Sequence, residues 1–248
     1  MERKIRVGAV SYLNTKPLLY GMQHSSLMDE IALRIDFPSR IAQMLLEDDI
    51  DIGLVPVALI PKLREFHIQT EYCIGSDGPV ASVCLFSEMP LEKISKVLLD
   101  YQSQSSVKLA SLLIRDYWKL NPELIDAGRE FASDIKGSVA GVMIGDRALM
   151  QRLISPYHYD LGQAWKDWTG LPFVYAAWIS NKTLPSDFLD KFNEANAQGI
   201  CSLDKVIAEN PFPGYDLRTY FTKNISYALT AEKIRGMKLF LEKLNNNH

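Results

Sequence analysis

Ile5-Arg6-Val7-Gly8-Ala9-Val10-Ser11-Tyr12-Leu13-Asn14-Thr15-Lys16-Pro17 is the stretch that decides the fold. Its first six residues are a short apolar run with one arginine inside, the pattern of a buried strand. A polar loop, Ser11 to Lys16, follows. Pro17 then stands where the first turn of a helix tolerates a missing N–H. Ile31 to Phe37 alternates apolar and polar residues and reads as a second strand. Pro38-Ser39 opens a helix with Ile41, Ala42, Leu45 and Leu46 on one face. Asp51-Ile52-Gly53-Leu54-Val55 is a buried strand that Pro56 stops. Strand, helix, strand, helix, strand predicts a parallel sheet with right-handed crossovers.

Beyond this unit, His67 to Ile74 and Pro79 to Ser87 read as further strands, the second long enough to join two domains. Lys96 to Asp100 is a strand that leads into a helix over Ser103 to Leu120, with Val107, Ala110, Ile114 and Tyr117 along one face. Val139 to Ile144 is another buried strand, and Gly145-Asp146 opens the next helix, with Asp146 read as its N-cap. Phe173 to Ile179 is aromatic and β-prone and reads as the return strand. Later helices start at Pro185-Ser186, with Phe188, Leu189, Phe192 and Ala195 facing inward, and at Thr230, whose hydroxyl can cap. Ile234, Met237, Leu241 and Leu244 form the predicted stripe of that last helix, and Asn245 to His248 a frayed end.

Two long β crossings, near residues 80–87 and 173–179, make the first lobe discontinuous. Residues 1–86 and 175–248 form it, and residues 87–174 form the other. The predicted fold class is α/β of the periplasmic-binding-protein-like type II: two α/β lobes joined by two crossover strands, with a cleft between them. Ligands of open α/β sheets sit beyond the carboxyl ends of the strands, so two facing lobes share one site.

Of the 248 residues 47% are hydrophobic and 23% charged, and the net charge is −3. That is ordinary globular composition, with no basic stripe to attract nucleic acid. No apolar run approaches the roughly 18 residues of a membrane span. The residues from Met1 to Arg6 run into the first strand without an apolar leader. The expectation is a cytoplasmic protein with a small-molecule partner, no nucleic acid and no membrane, its oligomeric state open. Cys73, Cys84 and Cys201 are far apart, which reads as reduced thiols rather than a disulfide framework or zinc site. His24, His67 and His158 show no partner pattern. No P-loop, G-x-G-x-x-G, nucleophile elbow or metal pattern occurs, so neither a hydrolase nor a kinase is indicated, and no metal or cofactor is expected.

The residues that can carry chemistry cluster after strands. Ser11, Tyr12, Asn14, Thr15 and Lys16 pack hydroxyls, a phenol, an amide and an ammonium into one loop that leads into a helix, a setting that suits an anion. The same loop also reads as a plain capping turn. Ser82 lies inside an apolar strand, where a hydroxyl usually bonds the backbone. Ser103-Gln104-Ser105-Ser106 begins a helix and offers a carboxylate cradle or a simple N-cap. Gly145 and Asp146 follow another strand. Trp165, Trp168 and Trp178 are candidate cleft walls, though such rings are commoner in cores.

The run Val7 to Leu18 closely resembles the opening of the chorismate dehydratase family of the futalosine route to menaquinone. The resemblance continues through Asp51-Ile52-Gly53-Leu54-Val55-Pro56, Val80-Ala81-Ser82-Val83, Ser103-Gln104-Ser105-Ser106, Ile144-Gly145-Asp146 and Thr169-Gly170-Leu171-Pro172-Phe173-Val174. It implies a cofactor-free lyase, a hydro-lyase that removes water from chorismate to give 3-[(1-carboxyvinyl)oxy]benzoate. It implies Asn14 and Ser82 as the catalytic residues. It also implies substrate contacts at Ser11, Tyr12, Thr15, Lys16, Ser103, Gln104, Ser105, Ser106, Gly145 and Asp146. Gln104 departs from the smaller hydroxyl residue expected there. Two other readings compete. One is the sister enzyme of the same pathway, a 1,4-dihydroxy-6-naphthoate synthase, whose first loop is richer in proline and acidic residues. The other is a non-catalytic small-anion-binding protein, which the same fold allows.

Overall fold

The computed structural model describes residues 3–128 and 130–246. Its strands are β1 (Ile5–Val10), β2 (Ile31–Asp36), β3 (Ile52–Pro56), β4 (Tyr72–Ser76), β5 (Val83–Ser87), β6 (Lys96–Leu99), β7 (Glu123–Asp126), β8 (Val139–Ile144), β9 (Tyr157–Asp160), β10 (Phe173–Ser180) and β11 (Ser226–Ala228). They form a six-stranded sheet of order β11-β4-β10-β3-β1-β2 and a five-stranded sheet of order β7-β6-β8-β5-β9. In the first sheet β1 pairs parallel with both β2 and β3. The helix Pro38–Leu46 crosses between β2 and β3 with Pro38 at its first turn. This is the predicted βαβαβ unit. Every residue of β3 is buried, as expected of an inner strand covered on both faces. In the second sheet β6 pairs parallel with β7 and β8, while β5 runs antiparallel to β8 and β9.

Several boundaries differ from the sequence reading. All of β5 pairs within the second sheet, so the first crossing is residues 77–82, and the lobe boundary expected at 86/87 falls before Val83. The apolar run 79–87 reads as one strand because hydropathy does not register its bends. Likewise the strand expected over 67–74 is regular only from Tyr72, and His67 makes an isolated bridge to Ser180. The return crossing is the helix Leu161–Thr169 and the turn before Phe173, because β10 lies wholly in the first sheet. The helix expected over 103–120 is α-helical at Gln104–Leu112 and widens to a π turn at Leu113–Tyr117.

The C-terminal half completes the first lobe. Helices Lys16–Gln23 and Ser186–Cys201 approach so closely that a Cβ on Gly21 would lie 1.8 Å from the Ala195 carbonyl oxygen, and one on Gly199 equally close to that of Pro17. Only glycine permits that contact. The last helix, Ala231–Asn245, starts as predicted with Thr230 Oγ1 accepting from Lys233 N–H. Its buried residues are Lys233, Gly236, Met237 and Phe240; of the predicted stripe Met237 is among them, while Ile234, Leu241 and Leu244 are half-buried. A lysine conceals the true face from a hydropathy reading. Lys233 Nζ donates to the carbonyls of Ser226 and Ala228, so its charge is spent holding the edge strand β11. The end read as frayed is helical through Asn245; Met1, Glu2, Asn247 and His248 lie outside the described residues. No helix among the described residues is long and apolar enough to cross a membrane. Trp165 and Trp178 are fully buried among aromatic side chains, including Phe173 and Phe192, and neither lines the cleft.

Candidate active site

Between the lobes lies a cavity of about 50 Å³. Sites that bury a drug-sized ligand run to about 300–1,000 Å³, so the lobes lie too close together here for such a ligand. The apolar lining comes from Val10, Leu54, Ile74, Val80, Val83 and Ile144, at or beside strand ends of both sheets. The polar lining is Tyr12, Asn14, Thr15, Ser103, Ser106 and Tyr175. This is the topological position at which open α/β sheets bind ligands.

The first lobe contributes the loop after β1. A 3₁₀ turn, Leu13–Thr15, lifts Asn14 to the cavity. Thr15 is buried, and its Oγ1 donates to Asn14 Oδ1 at 3.2 Å. The amide oxygen is thereby engaged, while the amide nitrogen has no acceptor among the described residues. The Asn14 carbonyl accepts from Tyr227 Oη at 2.9 Å. Tyr12 reaches across the cleft, its hydroxyl donating to Gln102 Oε1. Burial, followed by the nearby Asp100 carboxylate, raises the Tyr12 phenol above its ordinary pKa, so it stays protonated. Ser11 and Lys16 do not line the cavity; Ser11 N–H is tied to the Asp36 carbonyl, and Lys16 begins the next helix.

The second lobe contributes two helix starts. Ser103 is the N-cap of Gln104–Leu112, accepting from Ser106 N–H at 3.3 Å and donating to Ser106 Oγ at 2.9 Å. Ser105 is fully buried and faces the other lobe, where its Oγ accepts from Ala58 N–H at 3.1 Å. Gln104 lies outside the cavity lining with its Oε1 buried and unpartnered. Gly145, at φ +66°, lies under the Tyr12 ring; a Cβ there would come within 3.2 Å of the ring carbons. Asp146 is not the cap expected of it. The N-cap position is Ile144, and Asp146 Oδ1 accepts from Leu13 N–H across the cleft at 3.1 Å. Burial raises the Asp146 carboxyl above its ordinary pKa, opposed by the Leu13 N–H and by the Lys16 charge.

Ser82 lies on the first crossing, flanked by the lining residues Val80 and Val83, and is itself fully buried. Its Oγ accepts from Tyr220 Oη at 2.7 Å, and its carbonyl accepts from Gly145 N–H at 2.8 Å. The structure therefore brings Asn14, Tyr12, Thr15, Ser103, Ser106 and Gly145 to the cavity. It leaves Ser11, Lys16, Ser82, Gln104, Ser105 and Asp146 behind that lining.

Sequence reasoning missed Gln102, Arg147, Asp100, Tyr220 and Tyr227. Arg147 Nη2 donates to Asp100 Oδ2 at 2.7 Å and to Gln102 Oε1 at 2.9 Å. Asp100 is buried and also accepts from Gln102 N–H. Beside the cavity the guanidinium is thus compensated by a carboxylate, and Gln102 passes that polar network on to Tyr12. The rule that ligands gather beyond strand ends marks Asp100 and Gln102, which follow β6 directly. No local signal marks Tyr220 or Tyr227, whose partners lie 138 and 213 positions away.

A family model described as menaquinone biosynthesis matches residues 5–246. A chorismate dehydratase of Thermus thermophilus is 26% identical over 263 residues, covering 96% of this chain and 94% of that protein. A chorismate dehydratase of Campylobacter jejuni is 24% identical over 243 residues, covering 95% of each. Among solved structures, the alkanesulfonate-binding protein SsuA of Xanthomonas axonopodis, bound to MOPS, superposes with a TM-score of 0.70 at 13% identity, covering 99% of this chain and 93% of that one. That likeness speaks for the fold alone, which is the periplasmic-binding type with two α/β lobes.

Proposed function

The chain belongs to the menaquinone-biosynthesis family, and on that premise we propose that it is a chorismate dehydratase, a hydro-lyase yielding 3-[(1-carboxyvinyl)oxy]benzoate. The carrying observation is the narrow inter-lobe cavity lined by Asn14, whose amide nitrogen has no acceptor among the described residues. The two relatives of that activity, similar along nearly their whole length, support the reading. Chorismate carries two carboxylates and the hydroxyl to be lost. Neutral donors at helix starts bind such anions, and Ser103 and Ser106 stand at one.

Elimination of water that creates a benzene ring is strongly downhill. The protein then needs to orient the substrate, stabilise developing negative charge and find an acceptor for one proton. Asn14, in the lining, and Ser82, just behind it between Val80 and Val83, take the first two roles. Tyr12, Thr15, Ser103, Ser106 and Gly145, which line the cavity, make the remaining contacts. Tyr12 and Tyr175 are the titratable groups in that lining, and burial keeps both phenols protonated. Asp146 lies outside the lining, its Oδ1 holding the Leu13 N–H. The proton therefore goes to a substrate carboxylate or a bound water, and the enzyme acts chiefly by geometry. The same reading makes it a cytoplasmic enzyme, in keeping with the free thiols of Cys73, Cys84 and Cys201.

The test is to mix purified protein with chorismate, adding no metal or cofactor, and to follow products by chromatography with mass detection. The expected product is lighter by one water and is the 3-substituted benzoate. Unchanged chorismate, from protein shown to be folded, overturns the reading in favour of a binding role.

A further inference from the structure

The segment 215–228 touches both residues given the catalytic roles. Tyr220 opens a π turn, Tyr220–Asn224, and Tyr227 is the middle residue of β11. Both tyrosines are buried. Tyr220 Oη donates to Ser82 Oγ at 2.7 Å, and Tyr227 Oη donates to the Asn14 carbonyl at 2.9 Å. Each bond is the one that the phenol makes as donor among the described residues. π turns are rare and concentrate at functional positions.

The crossing that carries Ser82 is held from several sides. Ala81 adopts φ +63°, a left-handed conformation that a non-glycine residue keeps only when its surroundings impose it. Here Asp160 accepts from Val80 N–H at 3.1 Å and Ala81 N–H at 2.7 Å, and Asn224 Nδ2 donates to the Pro79 carbonyl at 3.0 Å. Tyr215 Oη donates in turn to Asn224 Oδ1. The backbone at 79–81 is thus fixed before Tyr220 acts. What Tyr220 adds is the orientation of one hydroxyl. Because Tyr220 donates, Ser82 Oγ keeps its own proton to give, and no acceptor for that proton lies in range among the described residues.

We infer that Tyr220 and Tyr227 are positioning residues for the reaction. Tyr220 turns Ser82 into an obligate donor, and Tyr227 holds the Asn14 backbone so that its amide nitrogen faces the substrate. The inference rests on the proposed dehydratase reading, which assigns roles to Ser82 and Asn14. It names residues that touch no substrate themselves and act through those two.

Tyrosine-to-phenylalanine changes keep the rings and remove only the hydroxyls. Tyr220→Phe is expected to lower kcat about 10-fold, the size of one lost neutral hydrogen bond, with KM changed less than about 3-fold. The double variant Ser82→Ala/Tyr220→Phe is expected to be no slower than Ser82→Ala alone, because the phenol acts only through the serine. Tyr227→Phe is expected to be similarly non-additive with Asn14→Ala. A merely structural tyrosine would give additive losses and a lowered Tm. Wild-type turnover in Tyr220→Phe, or full additivity in the cycle, overturns the inference for Ser82, and the same outcomes with Tyr227→Phe overturn it for Asn14.

A second readout separates this from the dehydratase reading: calorimetric binding of isophthalate, a stable benzene dicarboxylate, to the same variants. Protein that binds isophthalate but leaves chorismate unchanged sinks the dehydratase reading. The positioning roles then stand or fall on whether the affinity losses are non-additive in the same pairs. Protein that neither turns over chorismate nor binds isophthalate overturns both.

Discussion

The two faces of the cleft use similar residues in opposite ways. On the first lobe, the loop after β1 spends its carbonyl oxygens and the Asn14 amide oxygen on internal bonds and leaves the Asn14 amide nitrogen open to the cavity. On the second lobe, the serines at the start of Gln104–Leu112 are mostly occupied. Ser103 caps the helix and donates to Ser106, and Ser105 accepts from Ala58 across the cleft. Ser106 keeps a proton for a ligand. The difference teaches that a hydroxyl-rich helix start is not one site with four equal contacts. Part of it presents substrate donors, and part of it fastens one lobe to the other.

Four substitutions break or sharpen that contrast. Asn14→Ala removes the donor that has no partner among the described residues and is expected to cost about 100-fold or more in kcat, the scale of a lost charge-stabilising donor. Steady-state turnover of chorismate measures it, and a loss under 3-fold would refute the role. Ser105→Ala leaves the Ala58 N–H buried and unpaired only when the lobes close. A buried unsatisfied donor costs about 1–3 kcal/mol, so KM should rise about 10-fold while kcat is nearly kept. A kcat loss with unchanged KM would move Ser105 from fastening to chemistry.

Asp146 belongs to the same fastening, through Leu13. Burial raises its carboxyl above the ordinary 3.8. Its protonated form is favoured in the folded, closed protein, so its stabilising effect is complete below 3.8 and fades as the pH rises through the raised value. In Asp146→Asn that part of the pH dependence of Tm should vanish, by thermal melts run upward from pH 3.8. An unchanged slope would show that the carboxyl is not buried in solution. Ser106→Ala should have the smallest effect, a few-fold in KM, because Ser103 still caps the helix through the Ser106 N–H. A wild-type KM in Ser106→Ala would remove Ser106 from the substrate donors.

Much of this was legible in the sequence. The βαβαβ unit from Ile5 to Pro56 follows from period and proline placement, and the first-loop motif led to Asn14. Val83 could not be assigned to its sheet, because residues 79–87 are apolar on both sides of the bend at 77–82. Lys233 misled the reading of the last helix, since its ammonium is satisfied by two carbonyls that are distant from any helical pattern. Ser105 and Asp146 read as contacts or caps because their true partners, Ala58 and Leu13, belong to the other lobe. Tyr220 stands beside Phe221 with nothing in the local sequence to single it out. Local patterning carries elements and motifs; it does not carry bonds made between segments far apart in the chain.

The closed cavity of about 50 Å³ also has a consequence in time. A molecule with ten carbons needs more room than this, so binding is expected to require the lobes to part. The observed association rate should climb with chorismate concentration and then level off at a first-order ceiling equal to the opening rate. Loosening the fastening at Ser105 should raise that ceiling while making each bound complex shorter-lived, so the same bond that slows entry sets how long the substrate is kept.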